Sequence, residues 1–224
     1  MKQLITVSIA IFLIALSCKK ESAPANTVMD GDGNVYSYIT LCGKTWMTTN
    51  LKTTRYKDGD PITFGGSGFN WLSTTGAYTF PNEEVNKKDT FGLLYNSAAV
   101  NDSRGICPAG WHVPTDDEWK ALEVCLGMSQ VDADKSGNRG NAGSKMLDGG
   151  SSGLNLKKAG LLDNWNVLYL YFGIRGYYYT STLDTATNRN YLRAFNLSGS
   201  DPSLIYRNYD SPNGNTMSVR CVKD

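Results

Sequence analysis

The sequence predicts an α+β domain in which two short helices sit among many short strands, and three observations predict it. Strand-forming runs recur between clusters of Gly, Asn, Asp and Ser, most densely over residues 168–182. With 23 glycines, 13 tyrosines, 7 phenylalanines and 5 tryptophans, the composition suits strands and turns over a helical bundle. Residues 105–119 bring a cysteine, two tryptophans and the single histidine to a strong helix start. There Thr115 and Glu118 stand at capping-box spacing, in which the threonine hydroxyl accepts from the Glu118 amide and the carboxylate accepts from the Thr115 N–H. Pro114, just before the cap, is placed to staple onto Trp119 one turn into the helix. Asp116 and Asp117 suit the positive end of the helix dipole. Trp119, Leu122, Cys125 and Leu126 fall on one face, and Gly127 closes the helix in a left-handed conformation.

Residues 1–17 read as a signal segment. Lys2 gives a positive end, and residues 4–16 are an almost unbroken apolar run. That run falls short of the roughly 20 residues a bilayer span needs, and has the size of a secretory core segment. Ala15-Leu16-Ser17-Cys18 resembles the bacterial lipobox, which implies cleavage before Cys18, a diacylglycerol on its sulfur and acylation of the new amino terminus. Residues 18–27 are small, polar and proline-bearing, a flexible tether. Lys19-Lys-Glu21 loosely resembles the surface-export signals of Bacteroidota lipoproteins. The expected location is therefore the cell envelope, as an outer-membrane lipoprotein, with the membrane a partner through Cys18. Residues 28–224 show neither linker nor repeat and are expected to form one domain. Lys and Arg number 22 against 21 Asp and Glu, and one lysine leaves with the leader. A neutral chain has no bulk attraction to nucleic acid, so none is expected as a partner.

Within the domain, Asp30-Gly-Asp-Gly-Asn34 reads as a turn before a strand at 35–41, where Val35, Ser37 and Ile39 alternate with Tyr36, Tyr38 and Thr40. Asp30, Asp32 and Asn34 imitate half of a calcium loop, but no glutamate stands at its twelfth position. Residues 44–51 form a second strand with Trp46 in the core, 57–61 a turn, and 63–75 a loop around Trp71. Residues 80–90 are polar and exposed. Residues 91–100 are predicted as a short helix with Leu94, Tyr95 and Ala98 inward, and 116–126 as the second helix. Residues 129–153 are rich in Gly, Ser and Asp, with one helical turn at 142–147. Residues 168–182, broken by Gly173 and Gly176, make two strands. Further strands at 191–197, 203–207 and 217–222 complete the sheet, with a turn at 210–215.

Several segments in order resemble the Fibrobacter succinogenes major paralogous domain, a family of secreted and lipoprotein domains. They are Asp30-Gly-Asp-Gly-Asn-Val-Tyr36, Thr45-Trp-Met-Thr-Thr-Asn-Leu51, Arg55-Tyr-Lys-Asp-Gly59, Gly76-Ala-Tyr78 and Phe91-Gly-Leu-Leu-Tyr-Asn96. Cys107-Pro-Ala-Gly-Trp-His-Val-Pro-Thr-Asp-Asp-Glu-Trp119 and Ser218-Val-Arg-Cys-Val222 follow. The family's glycine-arginine and double-tryptophan segment is matched only loosely, by Gly173-Ile-Arg-Gly176 and Tyr177-Tyr-Tyr-Thr-Ser-Thr182. The Val-Pro-Thr-Asp-Asp-Glu-Trp and Val-Arg-Cys-Val segments also resemble formylglycine-generating, sulfatase-modifying proteins. That implies a C-type-lectin-like single domain, with two short helices on a twisted antiparallel sheet and long irregular loops, and implies nothing about activity.

Four cysteines follow Cys18, and an even number in a secreted domain suggests disulfides with three possible connectivities. Cys107 and Cys221 both lie in family-type segments, so the resemblance pairs them and leaves Cys42 with Cys125. The formylglycine-generating enzymes use a late cysteine pair, whereas Cys221 stands alone here, so that oxidase chemistry is not expected. Asn164-Trp-Asn166 and Ser211-Pro-Asn213 are incomplete versions of the sugar-reading motifs of calcium-dependent lectins. His112 would need a carboxylate such as Asp116 or Asp117 to act as a base; the competing reading is a buried, hydrogen-bonded piece of the turn before the helix. One histidine and no cysteine cluster argue against a zinc site, and no metal, cofactor or catalytic residue is expected. Tyr169, Tyr171, Tyr177, Tyr178 and Tyr179 read either as a stacking platform or as ordinary sheet residues divided between its faces. The sequence thus points to a non-catalytic recognition or adhesion module for an extracellular glycan or protein. Its ligand residues are unknown and are expected in loops near 55–90 and 128–165. The alternatives are a structural subunit of a surface assembly and an enzyme, or enzyme accessory, acting on extracellular polymers.

Overall fold

The computed structural model describes residues 26–196, 201–211 and 214–224. The signal segment 1–17, Cys18 and the tether to residue 25 lie outside the described residues, as do Pro212 and Asn213 of the second lectin-like motif. The class is α+β, with short helices beside two sheets. The smaller sheet is antiparallel, in the order Thr27–Met29, Val35–Leu41, Lys44–Met47, Val222–Lys223, Trp111–His112. The larger runs Thr63–Phe64, Ala77–Thr79, Leu94–Asn96, Asn215–Ser218, Gly176–Leu183, Asn190–Phe195, Ile205–Tyr209, Gly137–Arg139. A hairpin of Leu161–Asp163 and Leu168–Leu170 branches from Asn215–Ser218. The last residues therefore belong to both sheets, crossing between them at residues 219–221.

The Asp116–Cys125 helix forms as its sequence predicts. Thr115 accepts from the Glu118 amide at 3.1 Å, and Glu118 Oε2 accepts from the Thr115 N–H at 2.9 Å. At the far end Gly127 has φ +105°, its N–H donates to Val124 O, and Met128 N–H donates to Glu123 O, a Schellman closure. Trp119 packs on Trp46, Tyr178 and Phe195 with ring centroids 5.1–6.2 Å apart. The buried face holds Trp119 and Leu122 as expected, with Leu126 packed against the core, but departs from expectation at Cys125 and at two acids. Cys125 is exposed, while Asp116 and Glu123 are buried beside Trp119 and Leu122. Their burial is possible because the sheet supplies arginines. Arg193 Nε lies 2.6 Å from Glu123 and its Nη1 2.7 Å from Asp116; Arg207 Nη2 lies 2.6 Å from Asp116, and Arg139 Nη1 2.7 Å from Glu123. Burial disfavours the Asp116 anion, but Arg207 and Arg193 outweigh it and lower the carboxyl below its ordinary range.

The predicted helix at 91–100 is instead three pieces. Lys88–Phe91 is a helical turn, Leu94–Asn96 is a strand, and Ser97–Val100 is a turn capped by Asn96. Gly92 breaks the run at φ +76°, where a Cβ would stand 2.6 Å from Asn50 Cβ and 2.7 Å from Leu51 O. Leu94 and Tyr95 are buried as expected; Ala98 is half-exposed and Ala99 takes the inward position. The helical turn expected at 142–147 is present as Gly143–Met146. A helix at Gln130–Asp134 and the strand Gly137–Arg139 arise where only loop was predicted. The strands at 168–182 exist but do not pair with each other: Leu168–Leu170 joins Leu161–Asp163, and Gly176–Leu183 joins Asn190–Phe195 and Asn215–Ser218.

Both disulfides have the expected pairing. Cys107–Cys221 is buried, and Cys42–Cys125 ties an exposed hairpin turn to the end of the helix. Each spans a long stretch of chain (83 and 114 residues), where closing the loop restricts the unfolded state by up to about 4–5 kcal/mol. Beside Cys221, the fully buried Arg220 donates to Met47 O at 3.0 Å, Leu154 O at 2.9 Å, Asn155 O at 3.2 Å and Asn50 Oδ1 at 2.6 Å. No carboxylate among the described residues pairs with it, and burial lowers its basicity. Arg220→Met fills a similar space but takes the guanidinium from three carbonyls and from Asn50 Oδ1, and is expected to cost about 3–5 kcal/mol, read as a lowered urea midpoint.

Candidate functional site

Two adjoining depressions form a polar groove on the larger sheet. One, of about 260 Å³, is lined by Trp71, Leu72, Ser73, Asn96, Asn164 and their neighbours. The other, of about 160 Å³, is lined by Asn101, Asn188, Arg189, Asn190, Asp210 and Ser211, and the two share Ser97 and Gly214. Asn96 is committed to the fold: its Oδ1 accepts from Ala77 N at 2.9 Å and Ala99 N at 3.0 Å, and its Nδ2 donates to Thr75 O at 2.9 Å. Asn101 and Asn190 hold each other through paired amides at 2.8 and 2.9 Å. Asp210 is buried and accepts from Tyr179 Oη, Asn215 N and Ser211 N at 2.8–3.0 Å. Burial raises its carboxyl pKa against those bonds.

Other lining groups keep donors in hand. Thr216 Oγ1 donates to Asn164 Oδ1 at 2.7 Å, leaving the Asn164 Nδ2 without a protein partner among the described residues. The Trp71 indole N–H and the Asn188 side-chain amide are likewise unspent. Arg189 donates to Asp210 O at 2.8 Å and lies 4.1 Å over the Tyr209 ring, with no carboxylate of the described residues paired with it. Amide, indole and guanidinium donors around a shallow groove suit a ligand dense in hydroxyl and carbonyl oxygens.

The histidine lies elsewhere, in the Trp111–His112 strand, and its side chain is 35% exposed rather than buried. Neither Asp116 nor Asp117 is its partner. Asp116 faces Arg193 and Arg207, and Asp117 pairs with Lys120 at 2.7 Å. The carboxylates at His112 are Asp224, 2.6 Å from Nδ1, and Glu118, 3.0 Å from Nε2. Glu118 also receives Lys44 at 2.9 Å and caps the helix. Both ring nitrogens and the neighbouring carboxylate are thus occupied.

Among the other predicted positions, the Asp30 turn forms around its own carboxylates. Asp30 accepts from Asp32 N, Asn34 N and Tyr36 Oη, and Asp32 accepts from Thr54 and pairs with Arg55. No group of three or more His, Cys, Asp or Glu placed to hold a metal occurs among the described residues. The five tyrosines form no common platform. Tyr177 and Tyr179 enter one core, Tyr178 enters the other, Tyr169 Oη meets Thr79 Oγ1 at 2.6 Å, and Tyr171 is exposed. Of the loops expected to meet a ligand, the groove takes Trp71–Ser73 and Asn164. The residues at 96–101 and 188–190, with Asp210 and Gly214, were not foreseen, and the broken motifs at Asn164 and Ser211 were the local signals.

Burial would raise the Glu118 carboxyl, but bonds from Lys44, Thr115 and His112 prevail and hold it at about 2 against an ordinary 4.5. A value lowered by folding stabilises above the unfolded pKa, and the benefit is lost as pH falls from 4.5 towards 2. Glu118→Gln is therefore expected to cost on the order of 2 kcal/mol at neutral pH and much less near pH 2.5, measured by urea unfolding at both.

No curated protein and no solved structure matches the chain, and the likeness to the C-type-lectin-like fold is not confirmed. A family model described as the Fibrobacter succinogenes major domain matches residues 39–223. That match takes in the larger sheet, the smaller sheet from residue 39 onward, the capped helix, both disulfides and every lining residue of the groove, and the chain belongs to the Fibrobacter succinogenes major domain family.

Proposed function

We propose that the protein is a non-catalytic recognition module, lipid-anchored to the cell envelope through Cys18, that holds an extracellular glycan in the groove between Trp71, Asn164 and Arg189. The observation that carries this reading is the set of unspent donors on Trp71, Asn164 and Asn188 in a groove whose other polar groups are fixed by the fold. Sugar hydroxyls accept from such donors, and a prepositioned site loses little freedom on binding. His112 supports the non-catalytic side of the proposal, because a base engaged by carboxylates at both nitrogens has no free face for a substrate proton. The test is a glycan array probed with residues 28–224, followed by titration of any hit. Ser73→Trp should fill the groove and weaken binding at least about tenfold with an unchanged unfolding midpoint, while His112→Ala leaves affinity intact. Equal binding by Ser73→Trp would refute the assignment of the groove.

A second reading, as a structural subunit of a surface assembly, is favoured by a different observation. Residues 164–174 contain no charged residue, and Trp165 (61% exposed), Val167, Leu168, Tyr171 and Ile174 stand in solvent around the strand Leu168–Leu170, which among the described residues pairs only with Leu161–Asp163. An apolar edge without charges invites antiparallel pairing with a second copy. On this reading, light scattering shows a mass that rises with concentration, and Leu168→Lys returns the monomer; a monomer at all concentrations rules it out.

A further inference from the structure

A separate cleft of about 320 Å³ lies between the Lys88–Phe91 turn and the loop that follows the Gly143–Met146 helix. Its wall is apolar, from Phe91, Leu147 and the buried Leu156, and Phe91 is braced edge-on by Phe172 at 4.9 Å. Two lysines and one acid share the lining. Lys157 is matched, with its Nζ 2.7 Å from Asp148. Lys158 is half-buried, and its ammonium makes no ion pair or hydrogen bond among the described residues. Next to Leu156 in the chain, the carbonyls of Leu154 and Asn155 accept from Arg220, which has no counterion among the described residues. The nearby acids are spent, Asp89 on Lys52 at 2.7 Å and Glu84 beside Lys87 at 3.5 Å. The cleft therefore joins an apolar wall to a net positive charge centred on one unmatched cation.

We propose that this cleft binds a small amphipathic anion, an aromatic or alkyl body bearing a single carboxylate, with the body against Phe91 and Leu156 and the carboxylate on Lys158. The volume lies at the lower end for small-molecule sites, which suits a body of one or two rings. A lysine partly removed from water gains more from an anion than an exposed one, so the charge discriminates acid from alcohol where the apolar wall cannot. This site is distinct from the glycan groove, and neither proposal depends on the other.

The test uses the non-lipidated chain and two probes of the same shape, 2-naphthoate and 2-naphthylmethanol, titrated by calorimetry and by naphthyl fluorescence. The acid is expected to bind once per chain, at least about tenfold tighter than the alcohol. Lys158→Glu should abolish that preference and leave the alcohol unchanged, whereas Phe91→Ala weakens both; the Lys158 side chain makes no bond among the described residues, and its carbonyl bond to Gly173 N survives substitution, so the replacement leaves the unfolding midpoint in place. Equal affinity for the two probes, a Lys158→Glu chain that binds the acid like the parent, or no binding of the acid at about 5 mM would each overturn the proposal.

Discussion

The guanidinium of Arg220 is the point on which the two sheets are joined. A charge at full burial is tolerated only if most of its donors are met, and here three carbonyls and one amide oxygen take the two terminal nitrogens, while Nε has no partner among the described residues. Met47 ends a strand of the smaller sheet, Asn50 begins the chain towards Gly92, and Leu154 and Asn155 belong to the loop that runs on to the cationic cleft. Arg220 itself rides on the crossing from the larger sheet to the smaller, where Val219 O accepts from Leu51 N and Cys221 O from Met47 N. A lysine could not replace it, because one ammonium lacks the planar fork that reaches separate segments. Tyr178 adds a further tie, donating to Lys157 O at 2.8 Å and Asn50 Oδ1 at 3.2 Å.

A second set of buried charges fixes the helix on the larger sheet. Asp116 and Glu123 lie nearly two turns apart on the face that also carries Trp119, and they meet arginines from three strands. Removing one partner would leave the rest uncompensated in a low-dielectric setting, so the network specifies how the helix sits more than it adds net stability. The groove and the cleft are built from loops that spring from this braced frame, which lets their side chains keep donors and a cation free of the fold.

What could be read from the sequence was local. The capping box, the closing glycine and the helix between them are set by residues a few positions apart, and each is seen as predicted. The burial of Asp116 and Glu123 was not legible, because Arg193 and Arg207 lie 70 or more residues away, Arg139 stands in a stretch read as loop, and an acid on a helix ordinarily marks the solvent face. At 91–100 a helical pattern of apolar residues was overridden by Gly92 and by the pairing of Leu94–Asn96 with two other strands. The run of three tyrosines was open to either reading because a strand buried on both faces shows no alternation. The groove was the least visible feature. Its residues come from five separate stretches, and only the pairing of distant strands brings Trp71, Asn164 and Arg189 to one place.

The two disulfides overlap along the chain, since Cys107 falls inside the span that Cys42 and Cys125 enclose. A polypeptide made from its amino end therefore presents its thiols out of native order. Of the four, Cys42 and Cys107 emerge first and are open to mispairing by an early oxidant, whereas the true partner of Cys107 emerges 114 residues after it. Correct maturation then requires either that Cys107 stay reduced until Cys221 has emerged or that a wrong early crosslink be exchanged. The covalent topology of this domain thus ties its yield to thiol chemistry after release, not to the speed with which its helix or hairpins form.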